Sequence, residues 1–522
     1  MAFTSLTITN AVLEGVGSIS KLAFECNEDV LMSIQELLSM QPPASTTDDS
    51  PLFGYSKETF LQHYEEKKKA LQKLLILANT GSLDYKRFSF LIQLLMDFMN
   101  PRLNPFFYEN ITFEKAAHGM MVSLGVTPLP STSDARHFVV GVNLATSKGF
   151  VIYENEVMQL LYFPTMHKLK RENPVFIVPP WINKYYIFDL SEHNSFIAWL
   201  NKQGISVYCV SWVNPDHTFA GQTLQHYVVK GVHKGVEKAM QNENGASVNI
   251  IGYCVGGVAA ALYAGWAKRR ERNTYASLTF LATPFDFDKL DNLRLFICED
   301  ELVKIEKIIE KEGFLSGGQL ARTFSLMRAN DMIVQSIIDQ VYLEKEPKPL
   351  DFLFWNADIT HLPGKMHIEY LRRFFIGDGF FDQARLLDTP LNLKNISCPV
   401  YSLGTVKDHI VPWESCYAAH VLFNDVTFCL GGSGHVSGII NPPEKEKYGY
   451  FTNTQPHENA SDWKRNAVEH NGSWWKHWIK WAESHLGGMC ANNPLDSSQV
   501  IEKAPGRYAL QKASLVKNYN IF

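Results

Sequence analysis

The sequence predicts an α/β fold built on a mainly parallel sheet, and three observations predict it. Unbroken apolar runs, rather than alternating ones, recur at 175–178, 205–210, 248–251, 278–281, 400–403 and 426–430. Helical stretches at 195–203, 224–240 and 258–269 separate the earlier runs. One run passes through Gly252-Tyr253-Cys254-Val255-Gly256-Gly257 straight into an alanine-rich segment. Strands that are apolar throughout are buried on both faces, and helices between them are the crossovers of a parallel sheet.

Taken in order, residues 1–55 have weak periodicity and end in a polar, proline-punctuated stretch, Gln41 to Pro51, which reads as a mobile arm and linker. From 56 to about 135 the reading is helical, because Phe60, Tyr64, Leu71, Leu74 and Leu75, then Phe90, Ile92, Leu95, Met96 and Phe98, recur at helical spacing. Strand signals begin near Phe138-Val139-Val140-Gly141 and continue at 149–153 and 157–163. The catalytic domain is placed at 136–490, and 491–522 forms a C-terminal tail. More than a hundred residues separate the apolar runs at 281 and 400, far beyond one crossover, so a helical cap is expected at about 290–390, above the strand ends where ligands bind. Its aromatic residues, Trp355 among them, either line an apolar substrate tunnel or form the cap's own core.

The Gly252-x-Cys254-x-Gly256 segment, between a β-branched strand and a helix, has the form of a nucleophile elbow, with sulfur at its apex. Cys254 is the candidate nucleophile; the bland reading is a small buried thiol. Two later loops supply partners. The run 400–403 leads into Thr405-Val406-Lys407-Asp408-His409, and the run 426–430 leads into Gly431-Gly432-Ser433-Gly434-His435. Nucleophile, acid and histidine in that order is the α/β-hydrolase order. A thiol titrates near 8.5, so a histidine within reach must take its proton at neutral pH. Asp408 would fix the imidazole's tautomer or activate a second substrate's hydroxyl. His409 is the rival base, but it follows the same strand as Asp408. An oxyanion needs two backbone donors: Val255, and Trp181 or Ile182 from the loop Pro179-Pro180-Trp181-Ile182-Asn183, whose prolines cannot donate.

Composition narrows the class. A chain of 522 residues with net charge −5 offers no polybasic field for nucleic acid. Its eight cysteines are dispersed, without metal-ligand spacing, which suits reduced thiols, a cytoplasmic setting and no bound metal. Neither a signal peptide nor an apolar run long enough for a membrane span is read from the chain.

The segments Pro179 to Ile187, Gly252 to Gly257, Phe354-Trp355-Asn356-Ala357-Asp358 with Leu362-Pro363-Gly364, Asp408 to Trp413, Gly431 to His435, Asn441-Pro442-Pro443, Gly472 to Trp475 and Ala504 to Tyr508 together resemble the polyhydroxyalkanoate synthases, over roughly 55–510, and most closely class I. The resemblance implies an α/β-hydrolase fold and an acyltransferase that takes (R)-3-hydroxyacyl-CoA, expected to be 3-hydroxybutyryl-CoA, and extends a polyester through a Cys254 thioester. Cys254, Asp408 and His435 stand at the family's catalytic positions, with aspartate proposed to help deprotonate the 3-hydroxyl. It further implies a homodimer associated with polymer granules in the cytoplasm. No separate cofactor is expected, coenzyme A being part of the substrate and a product. Arg328 is a candidate for the coenzyme A phosphates or for a structural ion pair, and Trp355 for substrate binding. Lys365 stands where the family pattern has proline, and Ala329 likewise; both bear on the lid and on monomer size. Two alternatives are a cysteine thioesterase resembling dienelactone hydrolase and a non-catalytic protein that coats polyester granules.

Overall fold

The computed structural model describes residues 57–77, 83–98, 100–103, 112–123 and 134–512, apart from 271, 273, 329, 378–384, 387–388 and 456. The proposed arm at 1–55 and Ala329 lie outside the described residues. Contacts divide the chain into two compact units: one comprises Met1–Asp134, Ala321–Lys348 and Lys517–Phe522, the other Ala135–Leu320 and Pro349–Val516.

In the first unit the helical periodicity is realised as helices Lys57–Leu77, Leu83–Phe98 and Phe113–Ser123. Tyr64, Leu71, Leu75, Ile92 and Met96 from the predicted stripes are buried. Lys68 reaches Asp97 at 2.8 Å between the first two helices. Val122 packs with Ile333, Val334, Ile337, Ile338, Val341 and Tyr342 of the later segment, and the Tyr342 hydroxyl donates to the Leu103 carbonyl at 2.8 Å.

The second unit is built on an eleven-stranded sheet. Its strands are β1 (Phe150–Glu154), β2 (Met158–Phe163), β3 (Val175–Val178), β4 (Val207–Trp212), β5 (Val248–Tyr253), β6 (Tyr275–Leu281), β7 (Val400–Thr405), β8 (Val426–Gly431), β9 (Tyr450–Thr452), β10 (Val468–His470) and β11 (Glu502–Lys503). The order across the sheet is β10-β9-β8-β7-β6-β5-β3-β4-β2-β1-β11. Strands β3 to β8 run parallel to one another, and β2 lies antiparallel beside β4. Read from β1 to β8, this is the strand order 1-2-4-3-5-6-7-8 of the α/β-hydrolase fold. The apolar runs end up as expected: β3, β4, β5 and β7 are buried at every position.

Register levels the ends that matter. Tyr253 of β5 pairs with Leu281 of β6, Leu281 with Leu403 of β7, and Leu403 with Cys429 of β8. The loops leaving β5, β7 and β8 therefore start side by side at the carboxyl edge.

Two segments differ from the sequence reading. The run at 138–141 forms no strand, only a bridge between Val140 and Leu144. Asn143 takes the Val139 N–H at 2.8 Å and donates to the His137 carbonyl at 2.7 Å, so side-chain bonds replace a ladder. Near the C-terminus, Glu502 and Lys503 pair with Val151 and Phe150 and extend the sheet as β11.

Candidate active site

Cys254 sits between β5 and the helix Val255–Arg269 with φ 51° and ψ −126°, the left-handed half of backbone space that a non-glycine residue adopts only where its surroundings enforce it. Those surroundings are visible. The Cys254 N–H donates to the Leu281 carbonyl at 2.9 Å. A Cβ at Gly252 would overlap the Gly257 backbone, and one at Gly256 would overlap the Val178 and Pro179 carbonyls. Close packing of strand, turn and helix thus requires both glycines. Gly257 is equally constrained, since its Cβ would run into the Thr283 side chain.

The acid and histidine loops are stitched together: Val406 N–H donates to the Gly431 carbonyl at 2.9 Å, and Lys407 N–H to the Ser433 carbonyl at 2.8 Å. Asp408 Oδ1 accepts from the backbone N–H groups of Ile410 and Val411, both at 2.9 Å. Its Oδ2 lies 2.6 Å from His435 Nδ1 and 3.4 Å from the Thr405 hydroxyl. The Asp408 side chain is 0% exposed, so both oxygens are spent on protein donors away from solvent. The Cys254 sulfur is near enough to His435 to act on the charge of its imidazole. With Nδ1 on Asp408, Nε2 is the ring nitrogen left free for the sulfur. Burial opposes charge on the His435 imidazole, but the Asp408 carboxylate and the Cys254 sulfur outweigh it and raise its pKa well above the ordinary histidine value. His435, and not His409, is the histidine on Asp408.

One participant escapes the sequence reading. The Tyr253 ring stacks on His435, with centroids 5.3 Å apart, and its hydroxyl donates to the His435 carbonyl at 3.0 Å. The adjacent apex cysteine hid its role, because a tyrosine at the end of a buried strand ordinarily reads as core.

The expected oxyanion donors are Val255, the first residue of the elbow helix, and Trp181 or Ile182, in the loop that follows the Val178 and Pro179 carbonyls packed against Gly256. The Asn183 N–H is taken by the Thr360 hydroxyl at 3.0 Å, whereas among the described residues no partner accepts from the N–H of Val255, Trp181 or Ile182. The 181–186 loop is clamped to the cap: Trp355 Nε1 donates to the Lys184 carbonyl at 2.7 Å, Lys184 Nζ meets Asp358 at 2.9 Å, and the Tyr186 hydroxyl donates to Asp358 at 2.7 Å. Trp355 is buried in this clamp. Arg328 belongs to the first unit, where it forms an exposed ion pair with Asp331. Among the described residues there is no group of three His, Cys, Asp or Glu side chains able to hold a metal, the seven described cysteines are free, and no helix is long and apolar enough to cross a membrane.

Residues 44–200 match the family model described as the poly-beta-hydroxybutyrate polymerase (PhaC) N-terminus. The poly(3-hydroxyalkanoate) polymerase subunit PhaC of Cupriavidus necator is 36% identical over 73% of this chain and 67% of its own length. The chain belongs to the poly(3-hydroxyalkanoate) polymerase family. Poly(3-hydroxyalkanoate) polymerase 1 of Ectopseudomonas oleovorans is 30% identical over 87% of this chain and 82% of its own length. The PhaC subunit of Rhizobium etli is 34% identical over 73% of this chain, which spans only 60% of that relative's length. Among solved structures, an esterase from Exiguobacterium antarcticum aligns at 14% identity over 55% of this chain and 93% of its own, with a TM-score of 0.33; the fold assignment rests on the strand order described above.

Proposed function

We propose that the protein polymerises (R)-3-hydroxyacyl-CoA, with 3-hydroxybutyryl-CoA as the expected monomer, into polyhydroxyalkanoate with release of coenzyme A. The observation that carries this reading is His435 held by Asp408 at 2.6 Å and close enough to the elbow thiol to feel its charge, in a member of this family. His435 Nε2 takes the Cys254 proton, and the thiolate attacks the thioester carbonyl. The oxyanion is met by the Val255 N–H and by that of Trp181 or Ile182. The carbonyl reforms, the bond to the coenzyme A sulfur breaks, and His435 returns its proton to that sulfur. Cys254 now holds the acyl group as a thioester. The 3-hydroxyl of another unit then gives its proton to His435 and its oxygen attacks the thioester carbonyl, joining the units by an ester and freeing the Cys254 sulfur to recover the proton.

Asp408 acts here as the residue that orients and charges His435. The filled shell of its two oxygens, and a side chain closed to solvent, support this role over direct contact with the substrate hydroxyl. Granule attachment, a cytoplasmic setting and a homodimer belong to the same proposal.

The test is purified protein with (R)-3-hydroxybutyryl-CoA, following free thiol, free hydroxy acid and polymer together. Thiol release with polymer and little free acid is expected. Equal amounts of thiol and free acid without polymer would make the protein a thioesterase, and polymer binding without thiol release would make it a granule coat.

A further inference from the structure

Five buried tryptophans satisfy their indole N–H. Trp212 donates to the Pro179 carbonyl, Trp355 to Lys184, Trp474 to Gly438, Trp475 to Ile439 and Trp478 to the Thr279 hydroxyl, at 2.7 to 3.0 Å. Trp181 does not: it is 2% exposed, and its Nε1 is buried without a hydrogen-bond partner. Trp266 Nε1 is also unpaired, but it lies toward the far end of the elbow helix, stacked under Arg270. An unpaired buried donor is costly, and an acceptor brought in by a ligand is one way to satisfy it.

Trp181 follows directly on the segment packed against the elbow. The carbonyls of Val178 and Pro179, just before it, press against the first turn of the elbow helix at Gly256. Its ring meets the Tyr370 ring edge-on, 5.5 Å between centroids, and the Tyr227 ring at 6.1 Å. Burial first, and then the Cys254 sulfur, push the Tyr370 phenol above its ordinary value. Neither tyrosine hydroxyl accepts from the indole N–H, whereas a 3-hydroxyacyl chain carries a carbonyl in every unit.

We infer that the Trp181 indole N–H is a specificity-determining donor that binds the ester carbonyl of the second unit in the acyl chain on Cys254. The backbone N–H of the same loop serves the thioester carbonyl. The indole nitrogen lies one side-chain length away, and successive carbonyls of the polyester are separated by a comparable number of bonds. This inference rests on the polymerase reading.

The test crosses a donor deletion with an acceptor deletion. The substrates are 3-(3-hydroxybutyryloxy)butyryl-CoA and its ether analogue, in which the second unit's carbonyl is a methylene; both transfer their acyl group to Cys254 with release of coenzyme A. The wild type is expected to prefer the ester over the ether by roughly 10- to 100-fold in kcat/KM. Trp181→Phe, which keeps a ring but removes the donor, is expected to bring that ratio close to one. Benzothienylalanine at position 181, isosteric with tryptophan but lacking N–H, supplies the same deletion should the phenylalanine variant fail to fold. A folded variant that retains the wild-type ratio overturns the inference, as does a wild type that does not discriminate. A wild type that releases no coenzyme A from either substrate refutes the polymerase reading itself.

Discussion

Asp408→Asn separates the two roles open to the aspartate. Asparagine keeps a carbonyl oxygen for the Ile410 and Val411 N–H groups, which hold Asp408 Oδ1 at 2.9 Å, so the loop should survive. Its amide nitrogen then faces His435 Nδ1 in place of the oxygen now at 2.6 Å. Two donors cannot share that gap, so His435 must put its proton on Nε2, toward Cys254, where it can no longer accept one. A hydrogen bond to a charged group contributes about 1.5–3 kcal/mol, or about 10- to 150-fold at 1.4 kcal/mol per decade. The wrong tautomer adds to this, and the serine-protease triad loses about 10⁴-fold to the equivalent change. We expect a fall of about 10²- to 10⁴-fold in the first turnover, read by rapid-quench release of coenzyme A at stoichiometric enzyme, with elongation falling in parallel. An acylation burst within a few-fold of wild type, with only elongation slowed, would refute the orienting role and place Asp408 on the substrate hydroxyl.

Three further outcomes follow from the packing. Tyr253→Phe loses the 3.0 Å bond to the His435 carbonyl but keeps the stack; at about 0.5–1.5 kcal/mol for one hydrogen bond, kcat should fall up to roughly tenfold with KM little changed, and Tyr253→Leu should fall further. Gly257→Ala drives a methyl into Thr283 and should cost about 1–3 kcal/mol in urea unfolding; adding Thr283→Ala should recover part of that loss, and strict additivity would refute the contact. Burial pushes the His367 imidazole down to about 4. The unfolded chain, titrating near 6.5, binds this proton more readily, so the native state is at full advantage above 6.5 and loses it as pH falls toward 4. Wild type should therefore lose about 2 kcal/mol more than His367→Phe between pH 7.5 and pH 5, and identical pH profiles would contradict the burial.

What the sequence disclosed and what it hid divide along chain distance. Each strand that carries a site loop announces itself locally: an apolar run, then glycines, then a chemically distinctive residue, as at Cys254, Asp408 and His435. Chain order supplied the rest, because parallel strands place consecutive carboxyl ends along one edge. Contacts between residues far apart in sequence leave no local mark. Tyr253 under His435, Gly257 against Thr283, and β11 beside β1 each depend on a partner that periodicity cannot identify. The run at 138–141 failed for the opposite reason, since Asn143 offers the backbone a local substitute for a ladder.

Burial at the elbow bears on why an acyl-enzyme here would be extended rather than hydrolysed. Cys254 and His435 are only 9% and 8% exposed, and the buried Tyr370, near enough to Cys254 to feel its charge, packs against Trp181. An imidazolium at His435 is favoured by a carboxylate shut away from water, since the Asp408 charge is then screened by little except His435. The same closure lowers the local concentration of water, the competing nucleophile, without penalising a hydroxyl that arrives on a bound acyl chain. On the proposed reading, partition between polymer and free acid is therefore set by the aromatic cover and not by the triad. Opening that cover with Tyr370→Ala should raise the ratio of free hydroxy acid to polymer, while removing the acid with Asp408→Asn should slow both products and leave their ratio near the wild-type value.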